Sequence, residues 1–185
     1  MEPFGILISF ELMKLELNLS QSETRTELFA RVQNFLNSLN FKVVSKDTGR
    51  PWGGFFVVDE GQAREFAKLF FSDVSFSEIQ ISSKLSPKIL MVQPNKRLSW
   101  QYHHRRAEIW KLIGGTAGVA TSASNEQGPV KILQSGEVIR LAQGERHRLV
   151  GLDGWGVIAE IWQHTDEKNP SDEQDIVRLQ DDFGR

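Results

Sequence analysis

Between Ser20 and Leu39 the apolar residues Leu28, Phe29, Val32, Phe35, Leu36 and Leu39 recur at helical spacing, and Thr24 followed by Glu27 has the separation of a capping box. The pattern predicts an amphipathic helix. Before it, Leu15, Leu17 and Leu19 alternate with Glu16 and Asn18, which suits a strand or an ordered arm equally. After Phe41 the period changes. Short apolar or β-branched runs at 41–44, 55–58, 79–81 and 88–92 are separated by Gly, Pro, Ser and Asp clusters and predict strands. A second helix is predicted at 62–71, where Ala63, Phe66, Ala67, Phe70 and Phe71 fall at helical intervals. Strand-like runs then continue at 109–113, 117–121, 130–133, 138–141, 147–150 and 155–162. The acidic, then apolar segment 171–179 predicts a short closing helix. So many closely spaced short strands imply a sandwich or barrel.

A chain of 185 residues can bury one core of ordinary size, so one main domain is expected, with room for an appendage. The formal net charge of −2 provides no positive field for nucleic acid or anionic lipid, which makes a small solute the expected partner. There is no cysteine, so disulfides, thiolate metal sites and cysteine nucleophiles are excluded and any metal must be held by nitrogen and oxygen. The apolar run 5–10 is too short for a signal segment or a bilayer span and is preceded by Glu2, which leads to the expectation of a cytoplasmic protein.

The stretch that carries chemistry is Pro94-Asn95-Lys96-Arg97-Leu98-Ser99-Trp100-Gln101-Tyr102-His103-His104-Arg105-Arg106-Ala107-Glu108, followed by Gly114-Gly115. Gln101 and His103 are two apart, so on a strand they share a face and can converge on one ion. Glu108 can return on a neighbouring strand. Further on, a glycine-bounded segment from Gly136 to His147 places His147 where it would complete a four-donor set. His104, next to His103, is expected to face away from the ion.

These two segments resemble the paired motifs of the cupins, a histidine-x-histidine, glutamate and glycine first, then glycine, proline, glycine and histidine. The sequence departs from that pattern with Gln101 at the first histidine position, Asn95 at the preceding glycine, Ala142 at the proline and Gly151 at the closing asparagine. An amide oxygen is a harder donor than imidazole and shifts the expected metal away from copper without excluding zinc.

The glutamine narrows the resemblance to type II mannose-6-phosphate isomerases. The chain is similar to them in the Leu-Ser-x-Gln-x-His-His run that leads through Arg and Glu to Trp110, in Arg50-Pro51-Trp52-Gly53, in His147-Arg148-Leu149, and in the ending Asp175-Ile176-Val177-Arg178-Leu179 to Phe183-Gly184-Arg185. The resemblance covers 50–185. It implies a mainly β cupin, a double-stranded β-helix or jelly-roll barrel, over 50–185, with an N-terminal arm and helix over 1–49. It implies a divalent metal ion, zinc first and manganese, cobalt, nickel or iron as alternatives, held by Gln101, His103, Glu108 and His147. In that family a nucleotidyltransferase domain often precedes the cupin, and this chain is expected to be the isomerase module alone.

The implied reaction interconverts mannose 6-phosphate and fructose 6-phosphate through a cis-enediolate, the metal acting as Lewis acid. Guanidinium groups bind phosphate through their planar fork, so Arg97, Arg105, Arg106, Arg148 and Arg178 are candidate substrate residues, each with a solvated-face alternative. Arg146 and Arg185 flank the same motifs. Glu160 is the candidate proton carrier where its strand face lines the barrel, and an exposed carboxylate where it does not. Most of the five tryptophans are expected to be core mass rather than sugar platforms. The rival reading is a non-catalytic cupin that binds a sugar phosphate or nucleotide sugar. A metal-dependent dioxygenase ranks third because it gains nothing from the arginines. The expected partner is a small sugar phosphate, with no nucleic acid and no membrane, and edge pairing leads to the expectation of a homodimer.

Overall fold

The computed structural model describes residues 23–184 together with Leu17 and Leu19. The apolar run 5–10, Leu15 of the alternating segment, and Arg185 lie outside the described residues.

Helix α1 (Arg25–Ser38) begins at the predicted capping box: Thr24 is extended, its side chain accepts from the Glu27 backbone N–H, and Glu27 accepts from the Thr24 N–H at 2.9 Å. It ends where Asn40 takes a left-handed φ of 61° and the Phe41 N–H reaches back to the Leu36 carbonyl at 2.9 Å, a turn that a short polar side chain tolerates. Its buried face is Leu28, Phe29, Val32, Phe35 and Leu36, as the spacing predicts. Strand β1 (Val43–Asp47) follows two residues later than the apolar run suggests, because this helix end occupies Asn40 and Phe41. Then come β2 (Gly53–Val58), a 3-10 turn (Glu60–Gln62) and helix α2 (Ala63–Phe70).

The predicted strand at 79–81 is instead the end of a short helix, α3 (Phe76–Ile79), opened by a second capping box between Ser75 and Glu78. The Ile79 and Gln80 N–H groups, which a strand would have sent to a neighbour, donate to the Ser75 and Phe76 carbonyls at 3.2 and 2.9 Å.

After β3 (Lys88–Val92) and β4 (Trp100–His103) the chain makes two long strands, β5 (Arg106–Ser122) and β8 (Arg146–His164), with β6 (Val130–Ile132) and β7 (Val138–Leu141) between them. Each long strand joins two runs that the sequence separates. They pair antiparallel from Arg106 opposite His164 to Ser122 opposite Arg146, with irregularities between Leu112 and Gly114 and between Gly115 and Ala117. At Gly115 φ is +67° and an added Cβ would stand 1.8 Å from the Trp155 carbonyl oxygen. The glycine pair is thus a bulge that bends the ribbon rather than a turn that ends it.

The predicted closing helix at 171–179 is corrected as well. Asp172 caps a 3-10 turn (Glu173–Asp175), and the chain continues as strand β9 (Ile176–Gln180), paired with β4 so that His103 faces Ile176 and Gln101 faces Arg178. An open strand edge accepts the β-branched Ile176-Val177 pair more readily than a helix does.

The strand order is β1-β2-β3-β8-β4-β9, with β5 joining β8, β7 and β6. Two apolar cores lie on opposite faces. One contains the buried faces of α1 and α2 with Phe56, Ile89, Ile109 and Trp155, and is dense in aromatic pairs such as Phe29 with Phe56 at 5.8 Å and Phe66 with Phe70 at 4.6 Å. The other fills the barrel interior with Leu90, Trp110, Leu112, Leu149 and Ile158. Because both faces are covered, every residue of β3 is buried. Alternation along β5 then sends Ile109 and Ile113 toward the helices and Glu108, Trp110 and Leu112 inward.

His164, at the end of β8, is fully buried, and its Nε2 lies 3.0 Å from Ser86 Oγ. Burial first, then the Lys84 and Arg106 charges, lower its pKa from 6.5 to about 4. A depressed histidine pKa means that the unfolded chain takes up the proton first. Its contribution is therefore intact above pH 6.5 and is lost as the pH falls through about 4, a loss of up to about 3 kcal/mol. Urea unfolding between pH 7 and 4 is expected to show a component of this size that His164→Gln removes.

Candidate metal centre

The interior ends of β4, β5 and β8 bring three ligand types together. One donor atom each from His103, Glu108 and His147 lie within 4.8 Å of one another, and all three side chains are buried. His103 Nε2 is 3.1 Å from Glu108 Oε1, and His147 Nε2 is 3.4 Å from Glu108 Oε2. Both imidazoles are oriented from behind. His103 Nδ1 donates to the Asp175 carbonyl at 3.3 Å and His147 Nδ1 to the Glu145 carbonyl at 3.0 Å. Since a carbonyl can only accept, each Nδ1 carries a proton and each Nε2 is aimed into the cluster, where a neutral imidazole presents a lone pair. His147 Nε2 is buried and has no hydrogen-bond partner.

An orphaned lone pair beside a carboxylate and a second imidazole is the arrangement that a divalent cation satisfies, so the three residues fit a metal. Gln101 stands opposite His147 in the β4–β8 pairing and lines the same cavity, with Oε1 accepting from Ser99 Oγ at 2.6 Å. One lone pair of that oxygen remains for an ion.

Arg106 crosses the cluster. Its Nε donates to Glu108 Oε1 at 2.7 Å, Nη2 to His103 Nε2 at 3.1 Å, and Nη1 to Ser171 Oγ at 2.7 Å and the Asp172 carbonyl at 3.2 Å. Its guanidinium carbon sits 3.5 Å from the centre of the Trp162 ring. Burial on its own would raise the Glu108 pKa, but His103 and Arg106 beside it outweigh burial and hold the carboxyl well below the usual range. Burial lowers the His103 pKa against the pull of Glu108.

Glu160 settles its own alternative: it is 4% exposed and lines the cavity. Burial, and after it the Glu108 charge, push its pKa up to about 7. Trp110 Nε1 ties the two carboxylates together, donating to Glu160 Oε1 at 2.9 Å and Glu108 Oε2 at 3.1 Å. The cavity volume is about 60 Å³, roughly two water molecules, and Trp52, Lys88 and Arg178 are among its other lining residues.

Of the arginines expected near substrate, Arg106 and Arg178 line this cavity. Arg97 pairs with Asp182, Arg105 with Asn169, Asp172 and Asp175, and the buried Arg148 bonds Gln127 and Gln180; these three are not among the lining residues. His104 is exposed, as alternation predicts. Sequence reasoning missed Lys88, which lines the cavity opposite Glu160 in the β3–β8 register, lies 3.3 Å from the Trp162 ring centre and pairs with Glu173 at 3.1 Å. A lysine opening an otherwise apolar run was the available signal.

Comparison with known proteins agrees with the architecture and adds a family. A mutant of Bacillus subtilis oxalate decarboxylase OxdC superposes over 73% of this chain and 30% of its own with a TM-score of 0.51 at 12% identity, a likeness of fold. The mannose-1-phosphate guanylyltransferase ManC of Salmonella typhimurium is 29% identical over 140 residues, covering 76% of this chain and 23% of that protein. The mannose-1-phosphate guanylyltransferase of Escherichia coli is 28% identical over 142 residues, 77% of this chain and 24% of that protein. The chain therefore spans about a quarter of the length of these curated relatives. The family described as mannose-6-phosphate isomerase C-terminal matches residues 62–181, nearly two thirds of the chain. The buried His-Glu-His cluster on a cupin barrel thus belongs to a member of the mannose-6-phosphate isomerase C-terminal family.

Proposed function

We propose that this chain is a metal-dependent aldose–ketose isomerase module that interconverts mannose 6-phosphate and fructose 6-phosphate. The observation that carries the reading is a carboxylic acid with a pKa near 7, Glu160, in the cavity that Glu108 of the His-Glu-His cluster also lines, the two carboxylates bridged by Trp110 Nε1. Bound there by His103, Glu108 and His147 with Gln101, a divalent ion would supply Lewis-acid polarisation of the substrate carbonyl.

The chain supplies the rest. Aldose-to-ketose conversion removes a proton from C2 and returns one to C1, while the O2 hydroxyl proton passes to O1, with no external oxidant. A carboxyl poised near neutrality can accept that proton and give it back, and the Trp110 hydrogen bond fixes the accepting oxygen. Trp110 and Trp162 exclude bulk water from the same wall. Lys88 and Arg178 place positive charge on the cavity wall, where they could meet the phosphate of a bound sugar, since about 60 Å³ admits the reacting end of a hexose and not the whole molecule.

The second reading is a cupin that binds a sugar phosphate without turnover. The relatives named above support it, because they are named for guanylyl transfer to mannose 1-phosphate. A coupled assay for fructose 6-phosphate on metal-reconstituted protein separates the two. Turnover that disappears with His103→Ala is the expected result. Saturable binding of mannose 6-phosphate without product, in the presence of zinc, manganese, cobalt, nickel or iron, would leave only the binding reading.

A further inference from the structure

Arg106 is bound on all sides, and two of its four polar partners are metal-cluster atoms. His103 Nε2 and Glu108 Oε1 are 3.1 Å apart, and because Nδ1 donates to the Asp175 carbonyl while the Arg106 guanidinium can only donate to Nε2, both atoms present lone pairs to one another. Such a pair needs a positive group on it. Arg106 supplies one, with Nε on the carboxylate at 2.7 Å and Nη2 on the imidazole at 3.1 Å. Nη1 is anchored outside the cluster on Ser171 and Asp172, while Trp162 covers the guanidinium face. Arg106, Ser171 and Trp162 are buried, and the exposed Asp172 contributes only its carbonyl, so this cation is little diluted by solvent.

A divalent ion bonds to imidazole nitrogen at about 2.0–2.1 Å. That is well inside the Nη2–Nε2 separation, and His103 has no other nitrogen to offer because Nδ1 is committed to the Asp175 carbonyl. Guanidinium and metal therefore compete for one lone pair, and both are positive.

From this we infer that Arg106 is a built-in counter-cation: it holds the His103–Glu108 edge of the cluster when no metal is bound and must release His103 for metal to bind. The inference rests on the proposed reading of this cluster as a divalent-cation site and adds its regulation. It makes a prediction opposite in sign to that for an ordinary supporting residue. Loss of a group that merely orients a ligand weakens metal affinity, about 10–100-fold in typical outer-shell cases. Loss of a competitor strengthens it.

The test is titration of chelator-stripped full-length chain with Zn²⁺ and Mn²⁺ by calorimetry, alongside thermal unfolding of the metal-free protein. Arg106→Met is expected to bind metal about tenfold more tightly than the unsubstituted chain, equivalent to about 1.4 kcal/mol. Its metal-free form is expected to melt lower, because Glu108 then lacks its counter-charge. Arg106→Lys serves if the methionine variant does not fold. A single ammonium cannot span Glu108, His103 and Ser171 at once, so tighter binding is again expected, by a smaller factor. Equal or weaker binding by the folded variants would overturn the inference and make Arg106 a support for Glu108. A chain with Arg106 intact that takes up neither ion would instead sink the metal-site reading itself.

Discussion

Glu160→Gln is expected to lower the isomerisation kcat by about 10²–10⁴-fold, the usual worth of a positioned acid–base group, with metal affinity changed little. Glutamine preserves shape and can still accept from Trp110 Nε1, so the cavity wall stays in place while the exchangeable proton is lost. Circular dichroism and metal titration on the same preparation check that the loss is chemical. The pH profile carries the same signature. The folded pKa of Glu160 is raised to about 7, so its protonated form dominates below that value and its base form above it. The aldose-to-ketose rate is expected to rise with pH through an apparent pKa at or below about 7, since a cation in the cluster favours the carboxylate and draws the value down. A profile flat between pH 5 and 8, or a glutamine variant within threefold of the parent kcat, would remove Glu160 from the proton transfer.

The other large effect is expected at His147. Its Nε2 is buried without a hydrogen-bond partner at the cluster, and its side chain is 1% exposed between Trp110 and His103. His147→Ala is expected to reduce divalent-metal affinity by more than about a hundredfold, exceeding the loss typical of outer-shell partners. It should also abolish most of the metal-induced rise in melting temperature, which scales with occupancy of the folded state. His104→Ala, one residue past His103 and the end of β4 and exposed, is the control and should leave both unchanged. Metal content measured on purified proteins decides the matter: an alanine variant at 147 that keeps the parent stoichiometry and affinity contradicts the ligand assignment.

Helix α1 was legible because its apolar residues repeat at its own period and its start carries its own cap. The strands were legible for the same reason, though with false breaks. Gly114-Gly115 and the glycines of 151–156 look like turns in sequence, and in the fold they are bends within two long paired strands. A bulge and a turn use the same residue type for the same backbone freedom, and only the partner strand tells them apart. The segment 171–180 failed for a related reason, since its conformation is decided by the open edge of β4, about seventy residues earlier.

For the site, the amino-acid order by itself determined which donors could meet. Two residues spaced by two on a strand share a face, so Gln101 and His103 were placed together before any fold was known, and the second glycine-bounded motif marked His147. What the tertiary structure alone decided was the electrostatic character of each group. Glu160 and Asp182 are equally acidic as letters; burial beside Glu108 pushes one up to about 7, while pairing with Arg97 lowers the other. Arg106 and Arg105 are neighbours in sequence, yet one lies inside the metal cluster and the other meets Asn169 and Asp172 on the outside. Facing is a local, period-two property of the chain. Desolvation and charge pairing depend on what folds over each group from far along it, and they are what turn a listable set of donors into a site with a chemistry.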